Sequence, residues 1–130
     1  MFACRINGQN WISKTDIYNL GASIANDTLR FFGGSGGLQA DLIIFFIKDQ
    51  QQGQTYLLNQ PGVSLGSSFM AADPCLQRTI AENSISGALT LTKYDIAHKI
   101  VSGTFNCVIP IPQCDTLKIT DGRFDIQYHY

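Results

Sequence analysis

Gly62-Val63-Ser64-Leu65-Gly66 fits G-x-S-x-G, the turn that presents a nucleophilic serine in α/β hydrolases, and Asp73 or Asp95 followed by His98 gives triad partners in the hydrolase order. The chemistry would be acyl transfer, with His98 taking the Ser64 proton. An elbow needs a strand, a sharp turn and then a helix whose amides build the oxyanion hole, whereas Ser67 to Ala72 reads as another strand. A chain of 130 residues also lacks the parallel sheet that presents such a serine. Ser64 is therefore expected in an ordinary Pro-Gly loop.

The remaining chemistry-bearing residues are sparse. His98 and His129 are too few for a histidine-rich metal site, and neither sits in H-E-x-x-H or at finger spacing from a cysteine. Asp95, Asp121 and Asp125 have the side chain for acid or base work, but Asp in turns more often caps or closes an Asx turn. Gly33-Gly34-Ser35-Gly36-Gly37 has neither the lysine nor the following helix of a phosphate loop. Asn26-Asp27-Thr28 matches a glycosylation sequon. Trp11, Tyr18, Tyr56, Tyr94, Tyr128 and Tyr130 are candidate stacking platforms, although aromatic residues in β proteins usually fill the core. No catalytic residue, cofactor or metal is expected, and the reading is non-enzymatic.

Cys4, Cys75, Cys107 and Cys114 are four in number at spacings that match no zinc pattern. They read as a disulfide framework suited to an oxidising compartment, with three pairings open. Cys4 with Cys107 is favoured because both lie on apolar strand faces, and Cys75 with Cys114 because both lie in loop contexts. Nine Lys and Arg against ten Asp and Glu give a net charge of −1, which leaves no electrostatic footprint for nucleic acid or an anionic membrane. Hydrophobic residues at 45% and charged residues at 15% place the chain among folded globular domains. No stretch is apolar enough to span a bilayer, so any signal peptide or lipid anchor is expected upstream of Met1.

The elements that must position these residues read as strands. Glu82 is the only glutamate, Ile, Thr, Phe and Tyr are frequent, and 12 glycines supply turns. Phe2, Cys4 and Ile6 alternate before Asn7-Gly8, and a two-residue turn there sets Trp11 opposite Cys4. Asp121-Gly122 forms either a second hairpin, with Ile119 opposite Phe124, or a glycine bulge inside one long strand; the hairpin is preferred. Further strands fall near Tyr18 to Ala25, Thr28 to Phe32, Asp41 to Lys48, Thr55 to Leu58, Ser67 to Ala72, Gly87 to Thr92 and Lys99 to Ile109, with one short helix at Arg78 to Ser84. The expectation is a single all-β domain over residues 1–130, an antiparallel β-sandwich or flattened β-barrel of about nine to ten strands.

Leu42-Ile43-Ile44-Phe45-Phe46-Ile47 departs from alternation and carries large apolar groups on both faces, so one face needs a cover. Either a loop or a second sheet supplies it, or Ile43, Phe45 and Ile47, together with Phe31, form a partner surface. Phe31, Ile43, Phe45 and Ile47 are the candidate partner surface.

Phe2-Ala3-Cys4-Arg5-Ile6-Asn7-Gly8-Gln9-Asn10-Trp11, Ile100-Val101-Ser102-Gly103-Thr104-Phe105 and Ile119-Thr120-Asp121-Gly122-Arg123-Phe124-Asp125 stand in order along the chain. Read with Gly87-Ala88-Leu89-Thr90-Leu91-Thr92, the set resembles an uncharacterised outer-membrane or surface lipoprotein family of Bacteroidota, with blocks F-x-C-x-I-N-G-x-x-W, I-S-G-T-F and I-T-D-G-R-F-D. The chain departs from that pattern at Cys107, where an aromatic is expected. The resemblance implies export, an upstream lipidated cysteine and residence at the outer membrane or cell surface; it implies no reaction. The leading functional expectation is an accessory or binding subunit that docks on a larger outer-membrane or surface protein. A ligand-binding β-barrel for a small apolar molecule or glycan is the alternative, and a small hydrolase using Ser64 or the aspartates is third.

Overall fold

The computed structural model describes residues 1–16, 19–36, 42–48, 50–58, 60–68, 86–110 and 116–127. They form ten strands: β1 (Phe2–Ile6), β2 (Gln9–Ile12), β3 (Leu20–Ala25), β4 (Thr28–Gly34), β5 (Leu42–Lys48), β6 (Thr55–Leu57), β7 (Val63–Ser68), β8 (Ser86–Asp95), β9 (Ile100–Ile109) and β10 (Leu117–Gln127). All pairings are antiparallel, in a six-stranded sheet ordered β2-β1-β10-β9-β8-β6 and a four-stranded sheet ordered β3-β4-β5-β7. The two sheets stay separate rather than closing on each other, so the architecture is a sandwich and not a barrel.

Local chemistry explains the hairpins. Asn7 and Gly8 both take positive φ, 49° and 82°, as a type I′ turn requires, and Cys4 pairs with Trp11 as the sequence predicts. Asn26 and Asp27 (φ 52° and 61°) turn β3 into β4 the same way, which puts the sequon at an exposed hairpin tip. Asp121-Gly122 behaves differently from the predicted hairpin. β10 runs straight through it, with Asp121 at φ 51° and the register slipping between Ile119 and Gly122. The reason is tertiary: β10 is flanked by β1 on one side and β9 on the other, and Ile119 and Phe124 each pair with both neighbours. A strand held on both edges cannot fold back, so the extra residue becomes a bulge.

Between the sheets lies one cluster of apolar side chains. Phe31 and Phe45 from the four-stranded sheet meet Phe2, Phe105 and Phe124 from the six-stranded one; Phe31 stacks on Phe124 at 4.2 Å and Phe45 lies 4.9 Å from Phe105. The expected partner surface is thereby corrected. Phe31, Ile43, Phe45 and Ile47 are each 0% exposed and form the centre of the core. Their alternation on β4 and β5 points them at the other sheet, so the second sheet of the sandwich is the cover that this face of β5 needs. β7 begins at Val63, ahead of the predicted Ser67 start; the remainder of that predicted strand and the helix at 78–84 lie outside the described residues.

Candidate functional site

Ser64 sits within β7, half-buried and paired with Phe46, rather than in a loop, and Gly62 (φ 85°) makes the turn that precedes it. His98 belongs to the β8–β9 turn of the other sheet. Its backbone N–H donates to Asp95 Oδ1 at 3.1 Å and its Nδ1 lies 2.8 Å from Oδ2. These hydrogen bonds, the backbone one first, hold the Asp95 carboxyl below its ordinary pKa. Asp95 is thus the residue that closes the turn, and the pair is a local device, remote in the topology from Ser64. Asp125 Oδ1 accepts the Ser102 hydroxyl at 2.6 Å. Asp73 and His129 lie outside the described residues.

Cys4 and Cys107 are both free thiols, which corrects the favoured bridge. β10 lies between their strands, and two strand spacings separate backbones by roughly 9.5 Å, beyond the reach of a disulfide. Cys75 and Cys114 lie outside the described residues. Burial pushes the Cys4 thiol up to about 12, and Cys107 likewise, where the neighbouring Cys4 adds to the rise. Thiols so perturbed are poor nucleophiles at neutral pH. Native protein treated with iodoacetamide at pH 8 should leave both unlabelled, whereas unfolding without reductant should expose both; tryptic mass mapping reads the difference. The folded state holds these protons more tightly than the unfolded chain, so stability should be flat with respect to the thiols below pH 9 and fall as pH climbs from about 9 towards 12.

Some residues that organise the surface had no sequence signal. Ser13 is 5% exposed, and its hydroxyl accepts the Gly34 N–H at 3.0 Å while facing the Lys14, Asn19 and Gly34 carbonyls. It ties the β1–β2 hairpin to the end of β4, a structural role. The outer face of the four-stranded sheet is apolar at its centre. Phe32 pairs with Ile44, Arg30 pairs with Phe46, and the Arg30 guanidinium sits 5.6 Å from the centre of the Phe32 ring. Phe32 and Ile44 are half-buried and Phe46 is 36% exposed. The two-faced apolar run noticed in the sequence is therefore real, with its faces the other way round.

The outer face of the six-stranded sheet is hollowed and mixed in character, with Ile12, Leu57 and Val108 exposed among polar and charged residues. A concavity of about 630 Å³ is lined by Arg5, Asn10, Asp121 and Arg123 together with the apolar Ala3, Trp11 and Ile12. A second, of about 400 Å³, shares Asp121 and Arg123 and continues to Thr104, Asn106 and Thr90. The pairing register explains the continuity: Ile12, Ala3, Arg123, Thr104, Thr90 and Thr55 form one cross-strand row over all six strands. Thr55 and Thr90 share a hydrogen bond at 2.9 Å. No family model, no curated protein and no solved structure matches this chain.

Proposed function

We propose that this domain is a non-enzymatic accessory or binding subunit of a larger outer-membrane or surface protein complex, docking through the outer face of β3-β4-β5-β7. The observation that carries the reading is the placement of Phe32, Ile44 and Phe46 together on a face that water would otherwise cover. Phe32 and Ile44 pair directly across β4 and β5, with Phe46 two residues along the same face, and large apolar groups gathered in this way favour a protein partner. Arg30 over Phe32 supplies the mixed cationic and aromatic character that contact centres tend to have. Export and a lipid anchor, implied by the resemblance, belong to the same proposal.

The test is gentle affinity purification from native outer membranes, with quantitative mass spectrometry, of the wild type and Phe46→Asp. Phe46 is exposed enough that the variant should keep its unfolding midpoint within a few degrees. One large partner recovered in near-equal amount with the wild type, and reduced at least tenfold with Phe46→Asp, is the expected result. Recovery of the wild type alone, or equal recovery with the variant, would sink the reading.

A further inference from the structure

We infer that the trough across the outer face of β2-β1-β10-β9-β8 is a second binding site, independent of the apolar face, and that it takes a glycan bearing carboxylates, of the uronic acid class. Charge is the first reason. Although the chain carries a net −1, the trough is lined by two guanidiniums, Arg5 and Arg123, against one carboxylate, Asp121. Arg5 Nε reaches Asp121 Oδ2 only at 3.7 Å, with both side chains more than half exposed, so the pair is weak and open to exchange. Arg123 makes no ion pair among the described residues. A guanidinium fork presents parallel N–H donors that match a carboxylate in two contacts, the geometry that makes Arg the usual reader of such groups.

The surface around the two arginines decides what kind of molecule carries the carboxylate. Ala3, Thr90 and Thr104 are short, so an occupant can lie close to the sheet, while Asn10 and Asn106 add amide donors and acceptors beside it. These groups suit the hydroxyls of a sugar. An acidic peptide would meet a difficulty over most of it: β1, β10, β9 and β8 pair their backbone amides and carbonyls on both sides, and of the trough's strands only β2, at the end of the sheet, has an open edge. A peptide laid across it would find no ladder for its own backbone, whereas extended peptides recognised by sheets add to an edge. A polyuronate has no such backbone to satisfy.

The inference is tested by calorimetric titration of the whole chain with polygalacturonate, with poly-glutamate and a neutral glucan as comparison probes. The expected result is binding to polygalacturonate that weakens with salt, at least about tenfold loss in Arg123→Ala, partial recovery in Arg123→Lys, and tighter binding in Asp121→Asn because the competing carboxylate is removed. Both positions are exposed, and circular dichroism checks that each variant is folded. No binding to polygalacturonate overturns the site; equal binding of poly-glutamate overturns its assignment to a glycan. Unchanged affinity in both Arg123→Ala and Asp121→Asn overturns its placement in the trough. Phe46→Asp should leave this titration unaltered, which separates the two surfaces.

Discussion

Phe45→Ala should lower the free energy of unfolding by about 3–5 kcal/mol, while Phe46→Ala, one residue along the same strand, should cost about 1 kcal/mol. Phe45 is 0% exposed and its ring lies 5.1 Å from Phe31, 4.9 Å from Phe105 and 6.4 Å from Phe2. Removing it opens a void where both sheets meet, and the surrounding rings are held by their own strands and can close it only in part. Phe46 leaves no such void because its ring already borders solvent. Denaturant melts of the two variants measure the contrast, and the slope of free energy against denaturant should stay constant if both remain two-state. Equal losses would mean that the two faces of β5 are covered alike, which would also remove the basis of the proposed docking surface.

Gly103→Ala should cost about 3 kcal/mol or more, an unusual penalty for one methyl group. Gly103 lies in β9 between Leu91 of β8 and Phe124 of β10. A Cβ there would stand 2.1 Å from the Thr90 carbonyl oxygen and 2.7 Å from the Phe124 ring, so backbone as well as side chain must move. Gly122 is used the same way, with the Phe105 ring 2.5 Å from where its Cβ would be. The two glycines of adjacent strands make room for each other's neighbouring phenylalanine, which lets large rings fill the space above small residues. Gly53→Ala supplies the comparison: nothing lies within 4 Å of its Cβ position, so only the strain of its positive φ (81°), about 1–2 kcal/mol, should appear. Thermal melts of the two variants should therefore separate, with Gly103→Ala the lower; equal midpoints would show that the sheet yields at β9.

Much of the fold was legible because β-structure writes itself as a period of two with punctuation. Phe2, Cys4 and Ile6 before Asn7-Gly8 predicted both the hairpin and its register, since only residues that tolerate positive φ close a two-residue turn. The run of β9, with Val101, Gly103, Phe105, Cys107 and Ile109 buried in alternation, could be read the same way. Asp121-Gly122 could not. The same dipeptide serves a hairpin tip or a bulge, and what chose between them was the presence of β1 and β9 on either side of β10, partners more than ten residues away in the chain.

The candidate site divides along the same line. That β5 carries apolar groups on both faces followed from composition and spacing alone, because Leu42 to Ile47 holds no polar residue at either parity. Which face meets solvent did not follow: both parities are equally hydrophobic, and only the docking of β4 and β5 on Phe105 and Phe124 turned Phe31, Ile43, Phe45 and Ile47 inward and left Phe46 outside. Likewise, Cys4 and Cys107 both belong to apolar faces, as the sequence indicated, yet their pairing was ruled out by β10 lying between them. Arg5 and Arg123 are 118 positions apart and share a trough only because β1 from one end of the chain pairs with β10 from the other. The sequence by itself determined the all-β class, the turns and the short-range registers, which depend on backbone sterics and side-chain parity between near neighbours. The tertiary structure alone decided which face is inside and which distant residues are adjacent, because those depend on sheet order, which local periodicity does not encode.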